Sequence, residues 1–193
     1  MRVNRIVEKT FAEGPGCRLC IWVQGCNHRC SGCFAVDLWD FDGGCEISTD
    51  EIKRKISAVS QEICGITLLG GEPFEYSPEL SEIAAFAHSL NKSVISFSGY
   101  TYEYLKSNNY ELLHHTDLLI DDKFEKSLVD FSRPLAGSSN QRFIYLTSRI
   151  TEQEIKSYKN RFEVRLDKSG KIQFNGMGNI EELKKYLSGV GEN

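Results

Sequence analysis

Short apolar runs rich in β-formers alternate with helical patterns along most of this 193-residue chain, and this alternation most strongly limits its fold. Strands are predicted at 19–23, 66–69, 94–97, 118–120 and 143–146, and helices at about 49–60, 77–90, 102–106 and after Thr151. Repeated strand–helix units of this length favour parallel strands joined by right-handed crossovers. The sequence therefore predicts an α/β sheet or a partial (β/α) barrel.

The helix starts have their own signals. Ser48 with Glu51, and Thr151 with Glu154, have capping-box spacing, and Ser77 before Pro78 is predicted to cap the second helix.

The C-terminal part has a different pattern. Residues 162–166 and 171–174 are predicted to form a β-hairpin with Gly170 at positive φ, followed by a helix at about 180–187 that Asn179 caps. Since no linker-like stretch interrupts the chain, we expect one domain over 1–193, with a core at about 14–166 and the C-terminal hairpin and helix at about 162–188.

Charge and hydropathy exclude several classes of function. The net charge of −4 gives no basic field for nucleic-acid phosphates. No run approaches the roughly 20 apolar residues of a membrane span, and the first residues have no signal-peptide core. We therefore expect a cytoplasmic protein without a nucleic-acid or membrane partner. In that reducing compartment, seven cysteines favour metal binding over disulfides.

Three of those cysteines, Cys26, Cys30 and Cys33, follow the first predicted strand with the spacing CxxxCxxC. Three thiolates hold three irons of a cubane cluster and leave the fourth open to another ligand. A Cys3His zinc site that includes His28 is the alternative, although the short loop would be cramped. The remaining cysteines are expected to pack as small apolar side chains; they are Cys17, Cys20, Cys45 and Cys64.

A second special loop, GGEP at residues 70–73, follows the second predicted strand. The carboxyl ends of parallel strands meet at one edge of a sheet, where ligands collect. Two glycines permit close backbone approach, and Glu72 supplies a polar group. By itself GGEP is more typical of a tight strand-to-helix turn than of a ligand site, and only its position relative to the cysteines favours a site.

Together the two loops resemble those of the radical S-adenosylmethionine (SAM) enzymes. Cys26, Cys30 and Cys33 match the cysteine motif of that superfamily, and Gly70, Gly71 and Glu72 match its GGE motif. The resemblance implies a partial barrel, one [4Fe-4S] cluster, and SAM bound to the open iron. It also implies that the reduced cluster cleaves SAM, giving a 5′-deoxyadenosyl radical that removes hydrogen from the substrate.

Further segments resemble the activating enzymes of glycyl radical proteins, most closely those of anaerobic ribonucleotide reductase. They are GPG at 14–16, QGC at 24–26, CSGCF at 30–34, SGYT at 98–101, DLLIDDKF at 117–124 and GSSNQR at 137–142. This resemblance also places Gly32, Phe34, Pro73 and Ser98 at the SAM site. Asp121 and Lys123 resemble an Asp-x-Lys motif whose aspartate would help hold a monovalent cation.

The resemblance implies an iron–sulfur oxidoreductase that makes a glycyl radical on a partner enzyme, with flavodoxin or ferredoxin as reductant. Two alternatives remain: a radical SAM enzyme that modifies a peptide or small molecule, and a non-catalytic zinc or iron–sulfur binding module. Arg142 is predicted either to contact SAM or the partner, or only to cap its loop.

Overall fold

The computed structural model describes residues 1–108, 110–166 and 172–178, and most of its strands belong to one seven-stranded sheet. The strands are β1 (Arg2–Thr10), β2 (Arg18–Val23), β3 (Cys45–Glu46), β4 (Gly65–Gly70), β5 (Ser93–Phe97), β6 (Leu118–Asp121), β7 (Arg142–Tyr145), β8 (Phe162–Leu166) and β9 (Ile172–Gly176). The helices are α1 (Thr49–Val59), α2 (Ser77–Ser89), α3 (Tyr102–Ser107) and α4 (Glu152–Ser157).

The main sheet has the order β3-β1-β2-β4-β5-β6-β7 and is not closed. Its centre, β2, β4, β5 and β6, is parallel, as predicted. Its margins are antiparallel, which corrects the expectation of parallel strands throughout. The reason lies in the connections: a short bend joins β1 to β2, and the segment between β6 and β7 contains a single-turn 3-10 helix at Lys126–Leu128 instead of a crossover α-helix.

Strand β1 was not predicted from the sequence, because its apolar residues do not alternate. Val3, Val7 and Thr10 are its buried positions. The pairing of β1 with β2 is irregular between Val3 and Arg5 and again between Val7 and Thr10. Each irregularity places an extra residue in β1, as in a β-bulge, and so breaks the two-residue period by which strands are recognised.

Both faces of the central strands are covered, which explains their continuous apolar sequences. On one face, α1 and α2 contribute Ile52, Ile56, Leu80 and Ile83 to a core that includes Leu19, Ile21, Ile66 and Leu68. On the other face, Cys20 and Trp22 of β2 pack with Leu69 and Leu38. Neighbouring residues of β2 therefore pack into the cores on opposite faces of the sheet.

The helix caps agree with the sequence at two of three places. Ser48 Oγ accepts from the Glu51 N–H, and Thr151 with Glu154 forms a complete capping box. The predicted cap at Ser77 is wrong: α2 follows directly from a 3-10 turn at Pro73–Tyr76, with Tyr76 at the N-cap. Ser77 Oγ instead accepts from the N–H of Leu112, 3.0 Å away.

Strands β8 and β9 form the predicted antiparallel hairpin. Its turn with Gly170 and the predicted helix after Asn179 lie outside the described residues. Among the helices that the structure describes, none is both long enough and apolar enough to cross a membrane.

Candidate cofactor site

The cysteine loop and the GGEP loop lie side by side, as the sequence predicts. The last residues of their strands, Val23 and Gly70, are paired in the parallel register of β2 and β4. Beyond the strands, the Gly71 N–H donates to the Val23 carbonyl at 2.8 Å, and the Glu72 N–H donates to the Gly25 carbonyl at 2.9 Å. The sheet register thus fixes one loop against the other.

Glycine at position 71 is required by this contact between loops. A Cβ added at Gly71 would lie 2.1 Å from the carbonyl oxygen of Gly25. This oxygen belongs to the backbone and cannot rotate away as a side chain could. Glycine therefore permits close backbone approach, as predicted, but what approaches is the start of the cysteine loop.

A cavity of about 610 Å³ opens beside the two loops. Most of the predicted site residues line it, namely Cys26, Cys30, Cys33, Phe34, Gly70, Gly71, Glu72 and Ser98. Three predicted site residues, Gly32, Pro73 and Asp121, are not part of this lining. Pro73 is buried at the start of the 3-10 turn, and a Cβ on Gly32 would meet the side chain of Lys126. The structure thus brings the two motifs to one cavity.

The three cysteine thiols are half-buried and free of disulfides. Burial raises the pKa of the Cys26 and Cys30 thiols. Within residues 1–108, 110–166 and 172–178, no three His, Cys, Asp or Glu side chains converge on a point where they could hold one metal ion. Three thiols spaced around a cavity suit a cluster, in which each cysteine binds a different iron.

His28 is engaged elsewhere, which bears on the zinc alternative. Its Nε2 lies 2.9 Å from Oε2 of Glu72, and its ring contacts that of Tyr100 at 4.4 Å between centroids. In this position the imidazole connects the cysteine loop to the GGEP loop. The geometry therefore gives His28 a supporting role, which the sequence did not indicate.

Glu72 is buried, and protein groups surround its carboxyl group. Oε1 accepts from the Phe74 N–H and from Ser98 Oγ, both at 3.0 Å. Oε2 accepts from the Gly99 N–H at 2.8 Å and is the atom that contacts His28. This carboxyl group thus joins the loops that follow β2, β4 and β5.

Aromatic side chains form much of the remaining lining. Phe34 has its ring centroid 6.0 Å from that of Phe124 and 6.0 Å from that of Phe131. Phe34 is 59% exposed, so this cluster lies at the border of the cavity with solvent. Trp22 and Phe97 line the cavity from the sheet. Such walls would exclude water from much of the site.

Two hydrogen-bond donors at the cavity lack a partner. Arg5 Nε and Trp39 Nε1 are buried and have no acceptor among the described residues, although both residues line the cavity. The Arg5 guanidinium lies 4.4 Å from the ring centroid of Trp22. A bound ligand with oxygen acceptors would satisfy donors that are otherwise costly to bury. Sequence reasoning did not find Arg5, since it lies on the unpredicted strand.

Asp121 and Arg142 form an ion pair beside the site. Arg142 donates to both carboxylate oxygens of buried Asp121, at 3.0 Å from Nε and 2.5 Å from Nη2. The Tyr102 N–H also donates to Asp121, and Arg142 continues to Glu103 on α3. Arg142 is thus bonded to Asp121 and Glu103, while its predicted contact with SAM or the partner and its predicted loop cap stay predictions. The cation role of Asp121 stays a prediction, and both of its oxygens already have partners.

The cysteines outside the trio differ in environment. Cys20 is buried in β2, as expected, and burial raises the pKa of its thiol. Cys17 is half-buried and packs against the core. The expectation for Cys45 and Cys64 is wrong, because both are exposed. Cys45 lies on the two-residue edge strand β3, and Cys64 lies just before β4, so neither reaches the core.

Comparisons with known proteins agree with this geometry. Residues 12–144 match the family described as a 4Fe-4S single cluster domain. The chain is 34% identical to the anaerobic ribonucleoside-triphosphate reductase-activating protein of Enterobacteria phage T4, over 74% of this chain and 92% of that protein. The protein of that name from Vibrio cholerae is 31% identical, over 67% of this chain and 88% of its own length.

A relative with a different named target also matches. The pyruvate formate-lyase-activating enzyme of Clostridium pasteurianum is 31% identical over 63% of this chain and 51% of that enzyme. The cysteine and glycine loops around one cavity, together with these matches, establish that the chain belongs to the radical SAM family of activating enzymes that includes the anaerobic ribonucleoside-triphosphate reductase-activating proteins.

Proposed function

We propose that this chain uses one [4Fe-4S] cluster and SAM to generate a glycyl radical on a partner enzyme, which by homology is an anaerobic ribonucleotide reductase. The single observation that carries the proposal is the meeting of three free thiols and the Gly70-Gly71-Glu72 loop at one cavity. The names of the relatives support the choice of this partner.

The residues present fit the proposed cofactors. Cys26, Cys30 and Cys33 supply three sulfur donors and leave one iron for an external ligand. The cavity of about 610 Å³ is of the size typical for small-molecule cofactors. Its unpartnered donors, on Arg5 and Trp39, would be satisfied by the oxygen acceptors of SAM.

When bound and reduced, the cluster would supply the electron that cleaves SAM, so that hydrogen can be taken from the Cα of a glycine. The protein's part is to hold the cluster and to shield the reacting groups from water. The three cysteines, in the loop after β2, would hold the cluster, and Glu72 fixes the surrounding loops through its bonds to His28 and Gly99. Phe34, Phe124 and Phe131 would limit access of water to the reacting groups.

Several further features belong to the proposal. The open, largely parallel sheet would be a partial barrel, whose gap admits a glycine-bearing loop of the partner. Gly32, Phe34, Pro73 and Ser98 would complete the SAM surroundings, Gly32 and Pro73 from behind the lining. We further propose one domain, a cytoplasmic location, and a flavodoxin or ferredoxin as electron donor.

The test begins with anaerobic reconstitution of the full chain. We expect iron and sulfide in a ratio that fits one [4Fe-4S] cluster, and cleavage of SAM by the dithionite-reduced protein. Replacing any one cysteine of the trio, for example Cys30→Ala, should abolish both. Cys45→Ala is the matched control, because Cys45 is exposed and does not line the cavity.

The substrate is tested by adding a purified anaerobic ribonucleotide reductase and recording an electron paramagnetic resonance spectrum. A doublet from the glycyl radical supports the proposal. SAM cleavage without that doublet would instead favour modification of a peptide or small molecule. A chain that binds metal but leaves SAM intact would be a binding module.

A further inference from the structure

The hairpin of β8 and β9 lies beyond the part of the chain that the family match covers, which ends at residue 144. It nevertheless reaches the cavity of the cysteines. Six of its residues or of those that follow it directly line that cavity, namely Phe162, Phe174, Asn175, Gly176, Met177 and Gly178. The hairpin is therefore a part of this chain's site that the match does not describe.

The hairpin is attached by hydrogen bonds to the end of β1 and to the bend that follows it. The Gly176 N–H donates to Oε1 of Glu13 at 2.7 Å, and Asn175 Nδ2 donates to Thr10 Oγ1 at 2.9 Å. Glu13, Thr10 and Asn175 are at most 5% exposed. On the neighbouring strand, Glu163 Oε1 accepts from the Phe11 N–H at 2.7 Å. Both strands of the hairpin are thus attached to residues 10–13.

The fit at Gly176 is close enough to exclude a side chain. Its φ is +109°, and an added Cβ would lie 1.9 Å from the carbonyl oxygen of Arg161 and 3.1 Å from Cβ of Ala12. Ala12 is itself buried. Gly176 is the point where the hairpin, the bend and the cavity meet.

We propose that the β8–β9 hairpin is a wall of the reaction cavity, held by Glu13, which keeps hydrogen donors other than the substrate away from the site. The proposal rests on the proposed function, because it assigns the hairpin a part in that reaction. Phe162 and Phe174 give the wall an apolar surface, while Glu13 and Thr10 anchor it by polar bonds. The hairpin is thus a positioning element for this reaction.

The reaction allows this role to be measured. Each SAM that is cleaved takes up one electron and one hydrogen atom and gives methionine and 5′-deoxyadenosine. In coupled turnover the hydrogen atom comes from the glycine Cα, which becomes the glycyl radical. In uncoupled turnover it comes from a small donor such as the S–H group of dithiothreitol, which becomes a thiyl radical. If the hairpin is displaced, the fraction of SAM that is cleaved in uncoupled turnover should increase.

The first experiment compares the full chain with Glu13→Ala and Glu13→Gln. Hydrogen exchange of residues 172–178 is measured in the metal-free protein. We expect faster exchange in Glu13→Ala, which lacks the acceptor for Gly176, and near-native exchange in Glu13→Gln, whose side-chain oxygen can still accept. Gly176→Ala should release the hairpin by a separate, steric route. Leu166→Ala is the control, since Leu166 lies on β8, is 71% exposed and does not line the cavity.

The second experiment measures 5′-deoxyadenosine with reconstituted protein at increasing dithiothreitol, without and with the glycyl radical partner. For Glu13→Ala and Gly176→Ala we expect a several-fold increase without the partner, and several-fold more 5′-deoxyadenosine per glycyl radical with it. Iron content and folding should match Leu166→Ala and the unchanged chain. Glu13→Gln should restore values close to those of the unchanged chain.

Three results would contradict the proposal that the hairpin is a wall of the cavity. One is faster exchange of residues 172–178 with unchanged 5′-deoxyadenosine formation. Another is unchanged exchange in both Glu13→Ala and Gly176→Ala. The third is loss of iron and SAM cleavage in parallel, which would reduce the hairpin to a support of the fold. Failure of the proposed function is distinguishable. If the unchanged chain cleaves SAM but gives no glycyl radical, the thiol-dependent measurement still decides the hairpin's role. If the unchanged chain cleaves no SAM, both proposals are overturned.

Discussion

Nε2 of His28 lies 2.9 Å from Oε2 of Glu72, so a hydrogen bond connects the cysteine loop to the glycine loop. The His28 side chain is 6% exposed, and that of Glu72 is 1% exposed. Because water is largely excluded, it cannot readily replace either group as the hydrogen-bond partner of the other. This bond makes the geometry of the three thiols depend on a carboxyl group 44 residues away in sequence.

His28→Ala should therefore weaken the site without removing a cysteine. Losing the bond should lower the free energy of unfolding by about 1–3 kcal/mol, since it leaves a buried carboxyl oxygen with one partner fewer. The measurements are urea unfolding of the metal-free protein and iron per chain after reconstitution. His114→Ala, at an exposed position, is the control. Equal stability and iron content in the two variants would contradict the role assigned to His28.

The contact of Gly71 with Gly25 predicts a strong effect of a single methyl group. Gly71→Ala should lower the free energy of unfolding by about 3 kcal/mol or more, because the new Cβ must displace backbone. Gly32→Ala is the matched comparison. Its Cβ would lie 3.0 Å from the flexible Lys126 side chain, and its φ of +78° should cost about 1–2 kcal/mol. Urea unfolding would contradict this prediction if both variants lost equal stability.

Glu13 predicts a pH-dependent stability. Burial raises the pKa of Glu13 to about 7. The hydrogen bond from the Gly176 N–H and the charge of Arg5 oppose this rise, and the charge of Glu163 adds to it. The folded state therefore prefers the neutral carboxyl group. Its stabilising contribution is complete below the ordinary pKa of 4.5, decreases as pH rises, and is lost above about 7. The whole change is about 3 kcal/mol.

Glu13→Gln removes this titration but keeps an oxygen that can accept from Gly176. Relative to that of the unchanged chain, we expect its free energy of unfolding to increase as the pH rises from 5 to 8. Urea unfolding of the metal-free proteins at several pH values measures the difference, in which all other titrating groups cancel. Parallel pH profiles of the two proteins would show that Glu13 titrates normally.

The bonds of Asp121 predict that its role is structural. Asp121→Ala should lower the free energy of unfolding by about 1–3 kcal/mol, because Arg142 and the Tyr102 N–H lose their acceptor. Glu103→Ala, which removes the exposed partner of the same arginine, should lower the free energy of unfolding clearly less, because exposed ion pairs contribute little. Thermal unfolding should be the same in potassium chloride and tetramethylammonium chloride of equal ionic strength. Stabilisation specific to potassium that Asp121→Ala abolishes would instead establish the cation site.

Much of the fold and of the site could be predicted because the signals are local. Strands β2, β4, β5 and β6 are short apolar runs, and α1 and α4 begin at recognisable caps. Chain direction then places Cys26 and Gly70 at one edge of a parallel sheet, as found. Strand β1 was missed because bulges disturb its period, and β7 proved antiparallel because no α-helix crosses over before it.

The sequence by itself determined the order of strands and helices and the two motifs, since both depend on spacing along the chain. Only the tertiary structure decided which side chains support those motifs. His28 meets Glu72 across adjacent loops, and Glu13 meets Gly176 across 163 residues of sequence. Such contacts leave no periodic signal, because they depend on how twisted strands and their connections bring distant residues together.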